Sequence, residues 1–388
     1  MSDTTQPAPR PAADPASTTG APRRTRVALV FGGRSGEHAI SCATAAGVLR
    51  ALDRERYEVL PIGITPDGQW VLAPDDPDAL SIQGGRLPQV AAAAGDVVLP
   101  MADAGRELTV TEPGALPRSL GEVDVVFPLL HGPFGEDGTL QGLLEMAQLP
   151  YVGSGVLASA AGMDKHYMKV VLAGHGLPVG PYTVITPRQW RTDADAAMDA
   201  VDSLGYPVFV KPARAGSSLG ITKVEHRRDL ADAVAEAQRH DPKVVVEAAL
   251  EGREIECAVL EGRGDDAPRT ALPGEIVVDG HAFYDFEAKY LDAAHVQLSC
   301  PAELPERVSD EVRSLAARAF DALGCEGLAR VDFFVTGSGR VTINEVNTMP
   351  GFTPYSMYPL MWERSGLSYP ELIDELVQLA LERPVGLR

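Results

Sequence analysis

No apolar run in the 388 residues approaches the roughly 20 needed to cross a bilayer, which excludes a spanning helix. Cysteine is scarce: Cys42, Cys257, Cys300 and Cys325 are scattered, form no CxxC pair and lie mostly in apolar stretches. That usage fits buried thiols in a reducing cytosol and argues against a zinc site. Positive charge is also short. Lys and Arg number 34 against 54 Asp and Glu, a formal net charge of -20, so a nucleic-acid backbone is a poor partner. The first glycine loop lacks GxGxxG spacing, which counts against a nicotinamide cofactor, and no Gly-Lys-Ser/Thr precedes a helix, which counts against a P-loop. There is no internal repeat. Residues 1–25, rich in Pro, Ala, Ser and Thr and without a hydrophobic segment, read as a disordered tail rather than a signal peptide. With 45% hydrophobic and 23% charged residues, the remainder is ordinary globular chain, enough for two or three domains acting on small molecules.

What is present is concentrated near the C-terminus. Arg330-Val331-Asp332-Phe333-Phe334-Val335 is a strand by its β-branched and aromatic content, Ser338-Gly339 a two-residue turn, and Val341-Thr342-Ile343-Asn344-Glu345-Val346-Asn347 the return strand. Pairing about that turn sets Asp332 opposite Glu345 and Arg330 opposite Asn347, all on one face, with Phe334, Val341 and Ile343 towards the tip. Facing carboxylates repel unless a cation lies between them. Hard oxygen ligands with an amide oxygen beside them suit Mg²⁺ or Mn²⁺, which usually accompany phosphate. An isolated acidic pair is more often a solvated face, but the irregular Thr348-Met349-Pro350-Gly351-Phe352-Thr353-Pro354 that follows favours the metal.

Upstream, Val27-Ala28-Leu29-Val30-Phe31 is a buried parallel strand ending in Gly32-Gly33-Arg34-Ser35-Gly36-Glu37-His38, with a helix over 40–52 and a strand over 57–64. A strand over 123–130 ends in His131-Gly132-Pro133-Phe134-Gly135-Glu136-Asp137-Gly138. Both glycine-rich loops therefore open into one crevice beyond the strand ends. Glu37 suits a substrate ammonium, and His131 is placed to contact substrate. Residues 65–121 have weak periodicity and read as an elaboration with little chemistry. A helix over 163–173, strands over 206–211, 221–224 and 244–247 and a helix over 230–239 follow. Lys211 opens a loop in which Gly216, Ser217, Ser218 and Gly220 bring N–H groups to an anion, and Lys165 is a second cation for phosphates. The strand edge at Glu247, Ala248 and Leu250 suits an adenine, with Glu247 or Glu254 accepting from amino or ribose donors.

In order, these motifs resemble the D-alanine–D-alanine ligases of the ATP-grasp superfamily, over most of the chain from Val27 onward. The resemblance implies an α/β (α+β overall) ATP-grasp fold: a Rossmann-like parallel-sheet domain (26–160), a central ATP-grasp subdomain with a phosphate lid (161–250) and a C-terminal one with the metal hairpin (251–388). ATP would lie between the last two as co-substrate, with Lys165 and Lys211 on its phosphates, Glu247 to Leu250 at the adenine and Glu254 at the ribose, and with Ser217, Ser218, Asn344 and Glu345 also binding it. Asp332, Glu345 and Asn347 would hold two Mg²⁺ or Mn²⁺ ions. The first D-alanine would set its ammonium near Glu37, and Ser356 with Met357 would bind the second. Arg330 and an N–H near Gly351 would stabilise the oxyanion. A mobile loop near 279–298 would bring Lys289 to the phosphate and Tyr290 towards Ser217 and Glu37. Ala248 stands where relatives often carry a larger side chain. A homodimer in the cytoplasm is the implied assembly. The rivals are a ligase for D-lactate or D-serine, a nucleotide-dependent oxidoreductase and a non-catalytic nucleotide binder.

Overall fold

The computed structural model describes residues 23–82, 86–100, 105–278, 296–384 and 386. Lys289, Tyr290 and the loop that carries them, like most of the N-terminal tail, lie outside the described residues.

Strand Thr25–Gly32 is apolar throughout its middle because both its faces are covered, and Val27 to Phe31 are at most 1% exposed. It lies between parallel neighbours Tyr57–Ile64 and Val125–Pro128, with Trp70–Leu72 antiparallel at the edge. Helix His38–Ala51 makes the crossover, so the loops after Gly32 and after Pro128 leave the same edge of the sheet. The stretch expected to carry little chemistry does more than expected. It contains a three-stranded antiparallel sheet, Asp96–Val98, Glu107–Thr111 and Arg118–Glu122. Its Val90 donates its N–H to His38 Nε2 at 3.0 Å, while His38 Nδ1 donates to the Gly33 carbonyl at 2.7 Å, so it braces the first glycine loop. Strands of three to five residues are too short to show alternation.

The helix expected over 163–173 is found as Lys165–Gly174, and a separate helix that the sequence reading did not include, Val156–Met163, precedes it. Asp164 separates them and caps the second, accepting the His166 and Tyr167 N–H groups at 3.1 and 3.3 Å. A four-stranded antiparallel sheet follows, ordered Thr222–Val224, Val208–Pro212, Val244–Ala248, Tyr182–Ile185. Val201, Leu230 and Val234 of helices Ala194–Asp202 and Leu230–Gln238 close its core.

The last sheet has six strands: Val296–Ser299, Gly274–Val278, Arg253–Leu260, Leu328–Val335 and Val341–Asn347 in order, with Arg269–Thr270 on Arg253–Leu260. Helix Glu306–Leu323 covers it with Val308, Val312, Leu315, Ala319 and Phe320, a 3.6-residue stripe.

In the hairpin of this sheet, the site pairs are as expected: Asp332 faces Glu345 and Arg330 faces Asn347. The route between them is different. The Thr336 carbonyl accepts from Gly339 N–H at 2.9 Å and Thr336 N–H donates to Arg340 at 3.1 Å, so the loop is Gly337-Ser338-Gly339, with Gly339 left-handed at φ 81°. That shifts the register at the tip by one residue, and a bulge that leaves Asn344 unpaired between Asp332 and Phe333 shifts it back. Val341 and Ile343 consequently join Phe333 and Val335 in the core instead of extending the acidic face.

Candidate active site

Three loops and the hairpin enclose one cleft of about 1120 Å³, lined by Glu37, Lys165, Lys211, Ser217, Glu247, Arg330, Asp332, Glu345, Asn347 and Gly351 among others. Glu37 is where the loops meet. The Ser217 hydroxyl donates to Glu37 Oε1 across 180 residues of chain. A Cβ on Gly132 would come within 2.8 Å of Glu37 Oε2 and one on Gly216 within 2.7 Å, so only glycine admits the carboxylate at either loop. Ser217 and Ser218 are both left-handed (φ 48° and 59°), a conformation that turns the loop back towards Glu37.

Lys165 ties the lid loop to the hairpin: its Nζ donates to the Ala215 carbonyl at 2.8 Å and stands 3.6 Å from Glu345 Oε2. Arg330 Nε and Nη2 form a two-pronged pair with Asp332, 2.7 Å each, and Asn347 Nδ2 donates to Asp332 Oδ2 at 3.0 Å. The protein's own cations thus already face both acids, and repulsion alone does not demand a metal. The donor set still fits one. Asp332, Glu345 and Asn347 line the cleft and carry hard oxygen donors, and among the described residues no group of three His, Cys, Asp or Glu forms a self-sufficient cage. Mg²⁺ is held in that way, by one or two carboxylates with water and phosphate completing its shell.

Lys211 and Glu247, expected at opposite ends of the nucleotide, are ion-paired at 2.7 Å. Antiparallel register explains it, because Lys211 lies opposite Val245 and Glu247 is two residues on, on the same face. A second lysine, missed in the sequence, completes the pair: Lys169 Nζ is 3.1 Å from Glu247 Oε1 and donates to the Asn344 carbonyl at 3.1 Å. Its signal was available, since Lys169 follows Lys165 by four residues on one helix face. Burial would raise the Glu247 carboxyl, but the charges of Lys211 and Lys169 outweigh it and hold it at about 2, below its ordinary 4.5. A carboxyl depressed by folding stabilises the protein above its unfolded value and loses that contribution as pH falls through its folded one. The thermal midpoint should therefore fall between about pH 4.5 and 2. Glu247→Gln should lower the midpoint at neutral pH yet flatten that acid limb; an equally steep limb in the variant would contradict the pairing.

Two further carboxylates were overlooked. Glu256 lies opposite Asp332 on the neighbouring strand, 3.3 Å from Arg330 Nε, and shares a face with Glu254, which lines the cleft. Glu136 binds the Gly132 and Met349 N–H groups, and burial, then the Glu37 charge, push its carboxyl up to about 8. His131 does not present a free ring to substrate: Nδ1 donates to the Met349 carbonyl at 3.2 Å and Nε2 faces the Thr44 hydroxyl at 3.5 Å. Burial lowers its pKa. Ser356 Oγ accepts the Thr353 N–H at 3.1 Å at the start of helix Met357–Arg364, and Met357 fills the space beside Gly274. Phe352, fully buried and 5.5 to 6.1 Å from the rings of Phe127, Tyr358 and Tyr369, anchors the loop between them. Burial of such a side chain contributes about 1.5–3 kcal/mol.

The family model described as D-ala D-ala ligase N-terminus matches residues 26–154, and that described as D-ala D-ala ligase C-terminus matches residues 171–378. The chain belongs to the D-alanine–D-alanine ligase family. It is 61% identical over 367 residues to the family member from Paenarthrobacter aurescens, covering 94% of this chain and 97% of that one. With the member from Kineococcus radiotolerans it shares 62% over 372 residues, 94% and 99% of the two chains. Among solved structures, the D-alanine-D-alanine ligase from Coxiella burnetii matches with a TM-score of 0.77 and 36% identity over 93% of this chain and 94% of that one. The D-Ala:D-Ser ligase from Enterococcus faecalis matches at 0.79 and 34%, over 92% and 100%. The fold is the ATP-grasp fold of these ligases. Among the described residues, no helix is long and apolar enough to cross a membrane.

Proposed function

We propose that this chain joins two D-alanines into D-alanyl-D-alanine for peptidoglycan precursors, converting ATP to ADP and phosphate. The observation that supports this most is the convergence on one cleft of an acidic hairpin, a lysine-flanked glycine-serine loop and the Glu37–Ser217 pair. A carboxylate oxygen of the first D-alanine attacks the terminal phosphorus of ATP and ADP leaves. The amine of the second attacks the acyl carbon, loses a proton, and phosphate departs as the amide forms.

Glu37, held by Ser217, faces the first substrate's ammonium. Lys165, Lys211, Ser217 and Ser218 serve the phosphates, with Glu247, Ala248 and Leu250 at the adenine, Glu254 at the ribose, and Asn344 also binding ATP. Arg330 and the Gly351 N–H meet the oxyanion, the contribution that usually dominates acyl transfer. Ser356 and Met357 receive the second D-alanine. Asp332, Glu345 and Asn347 hold two Mg²⁺ ions, which when bound offset negative charge on the phosphates. The division at 26–160, 161–250 and 251–388, the homodimer and the cytoplasmic location belong to the same reading.

Supplying ATP, Mg²⁺ and single amino or hydroxy acids, with phosphate release followed and products weighed, tests it. D-alanine alone should give phosphate and a D-alanyl-D-alanine mass in equal amounts. A mixed product with D-serine, made in preference, would favour the activity named for the Enterococcus faecalis neighbour. No phosphate with any of them would defeat the proposal.

A further inference from the structure

Met349 is held through both its backbone N–H and its carbonyl by the loop that follows strand Val125–Pro128. Its N–H donates to Glu136 Oε2 at 3.3 Å, and its carbonyl accepts from His131 Nδ1 at 3.2 Å. The other carboxyl oxygen, Glu136 Oε1, accepts the Gly132 N–H at 2.7 Å. The loop that presents this carboxyl is closed on itself. The Gly135 and Glu136 N–H groups both return to the Gly132 carbonyl at 3.1 Å. Gln141 of helix Thr139–Met146 spans it, donating to the Gly135 carbonyl at 2.9 Å and accepting the Gly138 N–H at 3.1 Å. On one side of Glu136, then, stands Gly132, against which Glu37 packs. On the other stands Met349, two residues before Gly351.

We propose that Glu136 is a positioning residue for acyl transfer: by holding one N–H on each oxygen it fixes the spacing between the first D-alanine at Glu37 and the oxyanion-binding N–H at Gly351. This deepens the ligase reading and rests on it. The task calls for a carboxyl group. In either protonation state each oxygen keeps a lone pair for its N–H, whereas an amide has a single acceptor oxygen and an alanine none. The contact is with the two loops that set the geometry, so the effect falls on turnover. Misplacing a reacting group by about 1 Å costs on the order of 10²-fold in rate.

The test compares wild type, Glu136→Gln and Glu136→Ala in steady-state ligation with ATP, Mg²⁺ and D-alanine, with thermal midpoints measured on the same samples. Expected is a graded loss of kcat, about tenfold for Gln and about 10²-fold for Ala, with KM for ATP within about threefold of wild type. Gln is close in shape to Glu and keeps one of the two hydrogen bonds, so it remains informative if the Ala variant does not fold. Two results would overturn the proposal: a Gln variant whose kcat stays within about threefold of wild type, or one in which kcat, ATP affinity and thermal midpoint fall together as a merely structural role requires. A wild-type protein inactive on D-alanine would remove the ligase reading and this inference with it. An active wild type with an indifferent Gln variant would remove this inference alone.

Discussion

Glu345→Ala is expected to end D-alanine-dependent phosphate release almost completely, a fall of ~10²- to 10³-fold in turnover if the divalent ion supplies several kcal/mol. Glu345 faces Asp332 across the hairpin, and its carboxylate is 3.6 Å from Lys165 Nζ. On the proposed role its removal takes away a hard oxygen ligand, and it leaves Lys165 with the Ala215 carbonyl. The two losses act in opposite directions on the nucleotide. Binding measured by calorimetry in chelator should be unchanged or slightly tighter, because a lysine has been released towards the phosphates. The gain that Mg²⁺ gives the wild type should disappear. If the variant kept the full Mg²⁺-dependent gain, Glu345 would not be a ligand, and the hairpin face would be a solvated polar surface after all.

Arg330→Ala is expected to lower kcat by ~10²-fold or more, the usual cost of losing an oxyanion donor. It should also destabilise the protein. Burial opposes the charge on Arg330, but Asp332, then Glu256, hold its pKa well above the ordinary value, so the guanidinium stays charged. Its loss leaves two enclosed carboxylates without their cation, and breaking such a pair costs about 3–5 kcal/mol. Arg330→Lys separates the two effects. It returns a charge to Asp332 and Glu256 but not the planar fork that bonds Asp332 at 2.7 Å twice. The thermal midpoint should recover most of the way, while kcat stays at least about tenfold down. An Arg330→Lys enzyme with wild-type turnover would show that only charge is needed there; one with kcat and ATP affinity lowered equally would count against an oxyanion role.

The site was legible where chemistry and local pairing coincide in a few residues. The facing of Asp332 and Glu345 came out of the sequence by way of two errors that cancel: a loop one residue longer than assumed, and a bulge at Asn344 one residue long in the other sense. A register counted from the turn is right only if every bulge is known, and nothing in Ile343-Asn344-Glu345 announces one. The helix break at Asp164 was hidden for a related reason. Residues on both sides have good helix propensity, and only the cap, seen as Asp164 accepting two N–H groups, divides them. Lys169, Glu136 and Glu256 are of another kind. Each acts on a partner 74 or more residues away in sequence, Lys169 on Glu247, Glu136 on Met349 and Glu256 on Arg330 through a strand pair, so the fold has to be known before the partner can be. Glu256 and Lys169 were nonetheless within reach, one on the same strand face as Glu254 and the other on the same helix face as Lys165.

The account turns on a carboxylate that accepts a phosphoryl group before it meets an amine, and following its oxygen atoms tests that most directly. D-alanine carrying heavy oxygen in its carboxyl group is given to the protein with ATP and Mg²⁺, and the released phosphate is weighed. A single labelled oxygen in each phosphate is predicted, because the oxygen bonded to phosphorus leaves with it when the amine takes the carbonyl carbon. Unlabelled phosphate, formed alongside dipeptide or without it, would contradict the account.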